Sequence, residues 1–166
     1  MLMKEDKFIS VIDTHKAILY KVANAYCKST EDRKDLIQEM IFQLWRSFEK
    51  YNAAYQYSTW IYRIALNVAI SFYRKNKPLP LTLPIDERIL NIREPEPGLD
   101  NNNQLRLLNT FIAELKDLDK ALILLYLEER SYKEIADIMG ISETNAGTRI
   151  GRIKQFLKQK FNANHE

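Results

Sequence analysis

The chain has few of the residues that staple or punctuate a fold. Cys27 is its single cysteine, so no internal disulfide can form and a disulfide-built secreted scaffold is excluded. Four glycines and five prolines among 166 residues exclude a collagen-like or low-complexity chain and disfavour a turn-dense β-sandwich. The glycines are too scattered for a phosphate-cradling or dinucleotide loop. The two histidines, His15 and His165, lie near opposite ends, no zinc-ligand spacing is present, and the acidic residues form no convincing metal-binding cluster. No cofactor, no metal site and no catalysis are therefore expected, and His15 reads as a helix-surface or packing residue rather than a general base. No apolar run reaches bilayer length. The segment from Met1 to Ser10 mixes lysine with acids and lacks the apolar stretch of a signal peptide. A soluble, cytoplasmic protein without membrane insertion is the expectation.

What is present is helical periodicity. Hydrophobic residues make up 46% of the chain. From Val11 to Lys28, Ile12, Ile18, Val22 and Tyr26 recur at helical spacing. Ser29 to Asp32 reads as a cap followed by first-turn acids. The helix after it, to about Lys50, carries the rows Leu36/Met40/Leu44/Phe48 and Ile37/Ile41/Trp45, a wide buried stripe. Tyr51 to Tyr57 breaks the pattern and reads as a loop. Ser58 or Thr59 is expected to cap a third helix running to about Lys75, with Trp60/Ile61, Ile64/Ala65, Val68 and Phe72 inward.

All five prolines fall between Pro78 and Pro97, where proline removes helix donors and restricts its neighbours. Charge shifts there as well. Thirteen basic residues face eight acidic ones before Pro78, whereas five acids outnumber two bases in the proline-rich stretch. The expected architecture is all-α: a first helical domain over 1–77, an acidic Pro-rich linker over 78–104, and a second helical domain over 105–166 that ends in a helix-turn-helix. In that second domain, Leu105–Leu115 and Asp119–Leu127 read as helices, with Asp117 or Asp119 as the cap between them.

The most specific local signal is Ser131 to Lys160. Ser131 can cap a short helix, Tyr132–Met139, whose inner face is Ile135, Ala136 and Met139. Gly140 supplies the left-handed residue that ends it. Ile141 is an apolar plug, Ser142 caps the next helix, and Ala146, Ile150, Ile153 and Leu157 form its buried row. The opposite face carries Thr144, Thr148, Arg149, Arg152, Lys154, Gln155 and Lys158. Between Glu143 and Lys160 there are five basic residues and one acid. Short polar residues allow close approach to a major groove, arginine reads guanine edges, and lysine holds phosphate. An ordinary helical hairpin with a solvated basic face is the competing interpretation.

The first module pairs cations with rings. Arg63, Asn67 and Arg74 line one stripe, Lys75 and Lys77 follow, and Tyr51, Tyr55, Tyr57, Trp60 and Tyr62 cluster at its start. Unpaired DNA needs this combination, because cations neutralise phosphate while bases stack on rings at about 1–3 kcal/mol each. For Trp60, core packing and base stacking stand open. Asp35, Gln38, Glu39, Gln43 and Arg46 share the expected outer side of the second helix; solvation is the usual meaning of such a face.

These segments in this order resemble the extracytoplasmic-function sigma factors of bacterial RNA polymerase. The resemblance rests on Asp35-Leu-Ile-Gln-Glu-Met-Ile-Phe-Gln-Leu-Trp45, on Ser58-Thr-Trp-Ile-Tyr-Arg-Ile-Ala-Leu-Asn67 followed by Arg74-Lys75, on Ser131-Tyr-Lys-Glu-Ile-Ala-Asp-Ile-Met-Gly140, and on Ser142-Glu-Thr-Asn-Ala-Gly-Thr-Arg-Ile150. It implies a protein that joins core polymerase, recognises the −35 and −10 promoter elements and promotes DNA opening. Asp35, Gln38 and Glu39 match the segment that docks on the polymerase clamp helices. Tyr57, Ser58, Trp60, Arg63, Asn67, Arg74 and Lys75 fall in the part that handles the −10 element, and the Tyr51–Ser58 loop stands where relatives capture a flipped base. Leu115 to Leu127 matches the part that meets the polymerase flap. Ser142, Thr144, Thr148, Arg149, Arg152 and Lys154 fall in the −35-reading motif. An anti-sigma partner is a further implication, and a monomer is expected when the chain is free. Gly147 and Gly151 depart from relatives, which often carry larger side chains there; they permit closer approach or reduce base contacts. An autonomous helix-turn-helix regulator is the competing function. It leaves the first module unexplained and would be expected to act as a dimer on a palindrome.

Overall fold

Ser29 shows how the first unit starts its second helix. Its hydroxyl accepts the Asp32 N–H at 3.1 Å, satisfying one of the donors that a helix start leaves open. Arg33 closes the turn before it, donating through Nε to the Cys27 carbonyl and through Nη2 to that of Lys28. The computed structural model describes residues 3–75 and 103–164, with side chains through 72 in the first span. Two compact units result, divided between Glu96 and Pro97. Every regular element among the described residues is helical.

The first unit holds α1 (Lys4–Tyr26), α2 (Thr30–Ser47), a 3₁₀ turn (Phe48–Lys50) and α3 (Tyr57–Lys75). The three α-helices pack pairwise on one another. Their shared core contains Phe8, Ile12, Leu19, Val22, Leu36, Met40, Leu44, Ile61, Tyr62 and Leu66. Helix α1 begins well before the expected Val11. Phe8 stands four residues ahead of Ile12 and is fully buried, so the apolar stripe extends one turn further back. Leu19, rather than Ile18, continues that stripe inward. Helix α3 also starts early, since the Trp60 N–H bonds the Gln56 carbonyl at 3.2 Å. Ser58 and Thr59 therefore lie in its first turn rather than at its cap.

The second unit holds α4 (Asn103–Ala113), α5 (Asp117–Leu127), α6 (Tyr132–Met139) and α7 (Glu143–Asn164). Helices α4, α5 and α6 all pack on α7. Helix α4 takes in Asn103 and Gln104, which the sequence assigned to the linker; the rest of the expected linker, from 78 to 102, lies outside the described residues. The cap of α5 is Lys116, which makes no side-chain capping bond, and Asp117 and Asp119 sit in the first turn. There their charges complement the helix dipole. The α5–α6 turn uses Glu129 at φ 62°, a left-handed position without glycine.

The helix-turn-helix agrees closely with its sequence signals. Ser131 accepts the Glu134 N–H at 3.1 Å and donates to Glu134 Oε1 at 3.3 Å. Arg130 and Ser131 hold the Glu134 carboxyl below the usual carboxylate range. Gly140 adopts φ 69°, and the Ile141 N–H reaches back to the Ala136 carbonyl at 3.1 Å. Ser142 accepts the Asn145 N–H at 3.0 Å. Ala146, Ile150, Ile153 and Leu157 are buried as expected, whereas on α6 Ile138 is buried and Met139 only half so.

Two glycine substitutions should move stability in opposite directions. Gly140→Ala forces an L-residue into the left-handed region and should cost about 1 kcal/mol. Gly151→Ala meets no atom within 4 Å and should contribute about 1 kcal/mol through helix propensity. Urea denaturation of the full chain, followed by circular dichroism, checks both signs.

Candidate nucleic-acid interface

In the first unit, the aromatic residues between α2 and α3 form one connected cluster. Tyr51 stacks on Tyr57 with ring centroids 4.4 Å apart, and Trp60 approaches Tyr51 edge-on at 5.3 Å. Phe48 lies 6.0 Å from Trp60, and the His15 ring lies 6.5 Å from Tyr57. Burial lowers the pKa of His15, which keeps it neutral near pH 7 and makes it a packing residue of this cluster.

The loop is internally tied. The Asn52 side-chain oxygen accepts the Ala54 N–H at 2.9 Å, and the Tyr55 N–H bonds the Asn52 carbonyl at 3.1 Å. The Tyr51 hydroxyl donates to the Tyr55 carbonyl. Desolvation and the neighbouring Tyr57 push that hydroxyl's pKa up, so it remains a proton donor. Tyr55 is consequently presented outward, 44% exposed, with the Arg63 guanidinium 5.4 Å from its ring centroid. A cation over an exposed ring, beside a half-buried indole, is suited to holding an unstacked base and its phosphate.

The site residues read from the sequence divide by depth. Tyr57, Ser58, Trp60 and Arg63 are half-buried, and Asn67 is exposed further along α3. Trp60 packs on Phe48, Tyr51 and Tyr57 without being fully buried. Tyr62 does not belong with them, because it points into the core and is 1% exposed. The side chains of Arg74 and Lys75 lie outside the described residues.

On α2, Asp35 is exposed and Gln38 half-buried, as an outward face requires. Glu39 differs from expectation. It is 8% exposed, and its carboxylate accepts from Gln43 Nε2 at 3.0 Å. This polar partner lies on its own helix, one turn on. Arg46 is exposed, with its guanidinium 5.7 Å from the Phe42 ring centroid.

In the second unit, the buried row of α7 turns Thr144, Thr148, Gly151 and Gln155 directly away from the core, with Arg152 and Lys158 beside them. Two other cations sit on the flanks and face their own unit. Arg149 Nη2 lies 3.5 Å from Asp119 Oδ1 of α5. The Lys154 ammonium lies 4.4 Å from the Tyr126 ring centroid, and contact with Tyr126 raises its pKa. Tyr126 and Tyr132 stack at 6.4 Å on that same flank, with the Tyr132 ring resting beside Gly147. Ser142 is occupied as a cap. Sequence reasoning missed Asp119, Tyr126 and Tyr132 as neighbours of the basic helix, since no local spacing links them to it.

Among the described residues no group of three or more His, Cys, Asp or Glu is placed to hold a metal ion, and no helix is long and apolar enough to cross a membrane.

Comparison with known proteins explains both units together. Residues 11–78 match sigma-70 region 2, and residues 105–157 match sigma-70 region 4. Among curated relatives, the chain is 25% identical to the ECF RNA polymerase sigma factor SigW of Bacillus subtilis, over 94% of this chain and 89% of that protein. It is 26% identical to RNA polymerase sigma factor SigV of the same organism, over 90% and 88% of the two chains. It is 27% identical to the ECF sigma-E factor of Haemophilus influenzae, over 80% and 76%. Two solved structures share the fold. One is CnrH in complex with the cytosolic domain of CnrY, with TM-score 0.64, 20% identity and coverage of 94% and 88%. The other is the sigma factor RpoE in complex with the anti-sigma factor NepR from Bartonella quintana, with TM-score 0.63, 18% identity and coverage of 94% of each chain. An autonomous helix-turn-helix regulator would account for region 4 alone and is not favoured. With regions 2 and 4 in the order and spacing described, the chain belongs to the extracytoplasmic-function sigma factors of RNA polymerase.

Proposed function

We propose that this chain works as a non-catalytic, cytoplasmic specificity subunit. It binds core RNA polymerase, recognises a promoter through its two units and traps opened DNA, with residues 78–102 as the connecting linker. The observation that carries the reading is the presence, in one polypeptide, of a cationic helix turned outward from α7 and a cation-and-ring platform at the start of α3. The first suits paired DNA and the second suits unpaired DNA. Joining them in one chain makes the second contact effectively intramolecular, so two weak modules reinforce each other. Trapping unpaired bases offsets the few kcal/mol needed to unstack each step, and no nucleotide hydrolysis enters.

The residues take distinct roles in this proposal. Thr144, Thr148 and Arg152 face the −35 duplex. Lys154 contacts phosphate from the helix flank, while Ser142 and Arg149 hold the helix in place. Tyr55, Tyr57, Ser58, Trp60, Arg63 and Asn67 handle the −10 strand, joined by Arg74 and Lys75 from the matched motif. Asp35 and Gln38 form the exposed part of the polymerase face, with Glu39 supporting them from beneath. The anti-sigma partner belongs to the same proposal, since an inhibitor that covers these faces would keep a monomeric sigma factor off promoters.

Purified chain added to core polymerase should yield discrete transcripts from genomic DNA fragments; unchanged output from core alone would overturn the proposal. Arg152→Ala should weaken upstream-duplex binding by about 1–3 kcal/mol, and Lys154→Ala should reduce the salt slope by about one. Both should leave core binding intact in a pull-down. Asp35→Ala combined with Gln38→Ala should instead lower core affinity, and undiminished capture would remove α2 as the docking face. Because Arg149 holds the helix through Asp119, a double-mutant cycle of the two should give coupling of about 0.2–1 kcal/mol in folding stability.

A further inference from the structure

We infer that the first two turns of α1, through Lys4 and Phe8, position the aromatic platform that holds unpaired DNA; the inference rests on the role proposed above for that platform. Both residues precede the segment that matches sigma-70 region 2. Phe8 is fully buried, with its ring edge-on to Trp45 at 5.1 Å and to Phe48 at 5.2 Å. Phe48 in turn lies 6.0 Å from Trp60, and Trp60 contacts Tyr51 and Tyr57. An unbroken series of rings therefore runs from α1 to the base-holding loop. Lys4 adds a second tie. Its ammonium lies 2.8 Å from Glu49 Oε1 and 4.4 Å from the Trp45 ring centroid.

The two ties meet consecutive residues, Phe48 and Glu49, of the 3₁₀ turn that leads into the loop. No residue of that turn is itself fully buried. A short turn of this kind draws little stability from its own hydrogen bonds, so its position depends on what packs against it. Phe8 backs Phe48, and Phe48 backs Trp60. Loosening Phe8 or Lys4 should therefore lower the fraction of molecules whose platform is ready to bind, and apparent affinity falls with that fraction. An exposed ion pair alone would contribute little. Here it is combined with a cation–π contact and a buried ring.

The chain's two tryptophans, Trp45 and Trp60, both lie in this cluster, so emission of the free chain excited selectively at tryptophan reports on it alone. Full-length Lys4→Ala and Phe8→Leu variants should be compared with Val22→Ala, which thins the α1 core at a residue outside the ring series. Holoenzymes assembled from each are titrated with a labelled, mixed-sequence single-stranded DNA and, separately, with upstream duplex. Lys4→Ala should weaken single-strand binding about two- to fivefold and Phe8→Leu about tenfold. Both should shift tryptophan emission and leave duplex and core binding unchanged. Wild-type single-strand affinity in both variants would overturn the inference, as would an equal loss in Val22→Ala, which would mark the effect as general destabilisation. If the wild-type holoenzyme failed to bind the single strand, the functional reading itself would fall, and this inference with it.

Discussion

Burial of one continuous stripe per helix fixes the direction of every other side chain in the two units. A helix whose row of Ala146, Ile150, Ile153 and Leu157 is out of water cannot rotate without exposing that row. Ile150, Ile153 and Leu157 each contribute about 1.5–3 kcal/mol. A rotation of even one residue step would therefore cost more than any single hydrogen bond to DNA could return. The outward placement of Thr144, Thr148 and Arg152 follows from that inner row, as the outward placement of Asp35 follows from Leu36 and Met40.

The same constraint explains which features were legible in the sequence. The helix-turn-helix could be read almost residue by residue, because its signals are local. Ser131, Gly140 and Ser142 act within a few positions of themselves, and the buried row repeats at a fixed period. The limits of α1 and α3 were less legible. Phe8 carries a helical-period signal with Ile12, but the charged residues around it resemble a frayed end. Ser58 and Thr59 are good capping residues that the fold places inside the first turn, since the Gln56 carbonyl already accepts the first bond.

Tertiary partnerships could not be read at all. Asp119 and Arg149 are far apart in sequence, and only the packing of α5 on α7 brings them to 3.5 Å. Tyr62 shares its neighbours' chemistry yet faces the core, because Ile61, Ala65, Leu66 and Ala69 define the buried side of α3 and Tyr62 lies within that arc. Glu39 has the chemistry of a surface residue yet is buried, accepting from Gln43 on its own helix. For Tyr62, side-chain type suggested a role, and the angular position relative to the buried stripe decided it.

Angular position also changes what the charge on α7 means. Five cations on one helix suggest a uniformly basic rod, but they do not share one face. Arg152 and Lys158 lie beside the outward row, whereas Arg149 and Lys154 lean back toward α5 and Lys160 pairs with Glu114, in the turn after α4, at 3.3 Å. The central outward row is thus left to short or uncharged residues. A duplex meeting this helix would find small polar groups at the groove floor and cations toward its walls. That order favours discrimination over raw affinity, because close approach to base edges carries sequence information while phosphate contacts do not. A second unit on the same chain, docked on polymerase, would hold this module at the DNA by an effectively intramolecular contact and so supply the affinity that its central row does not.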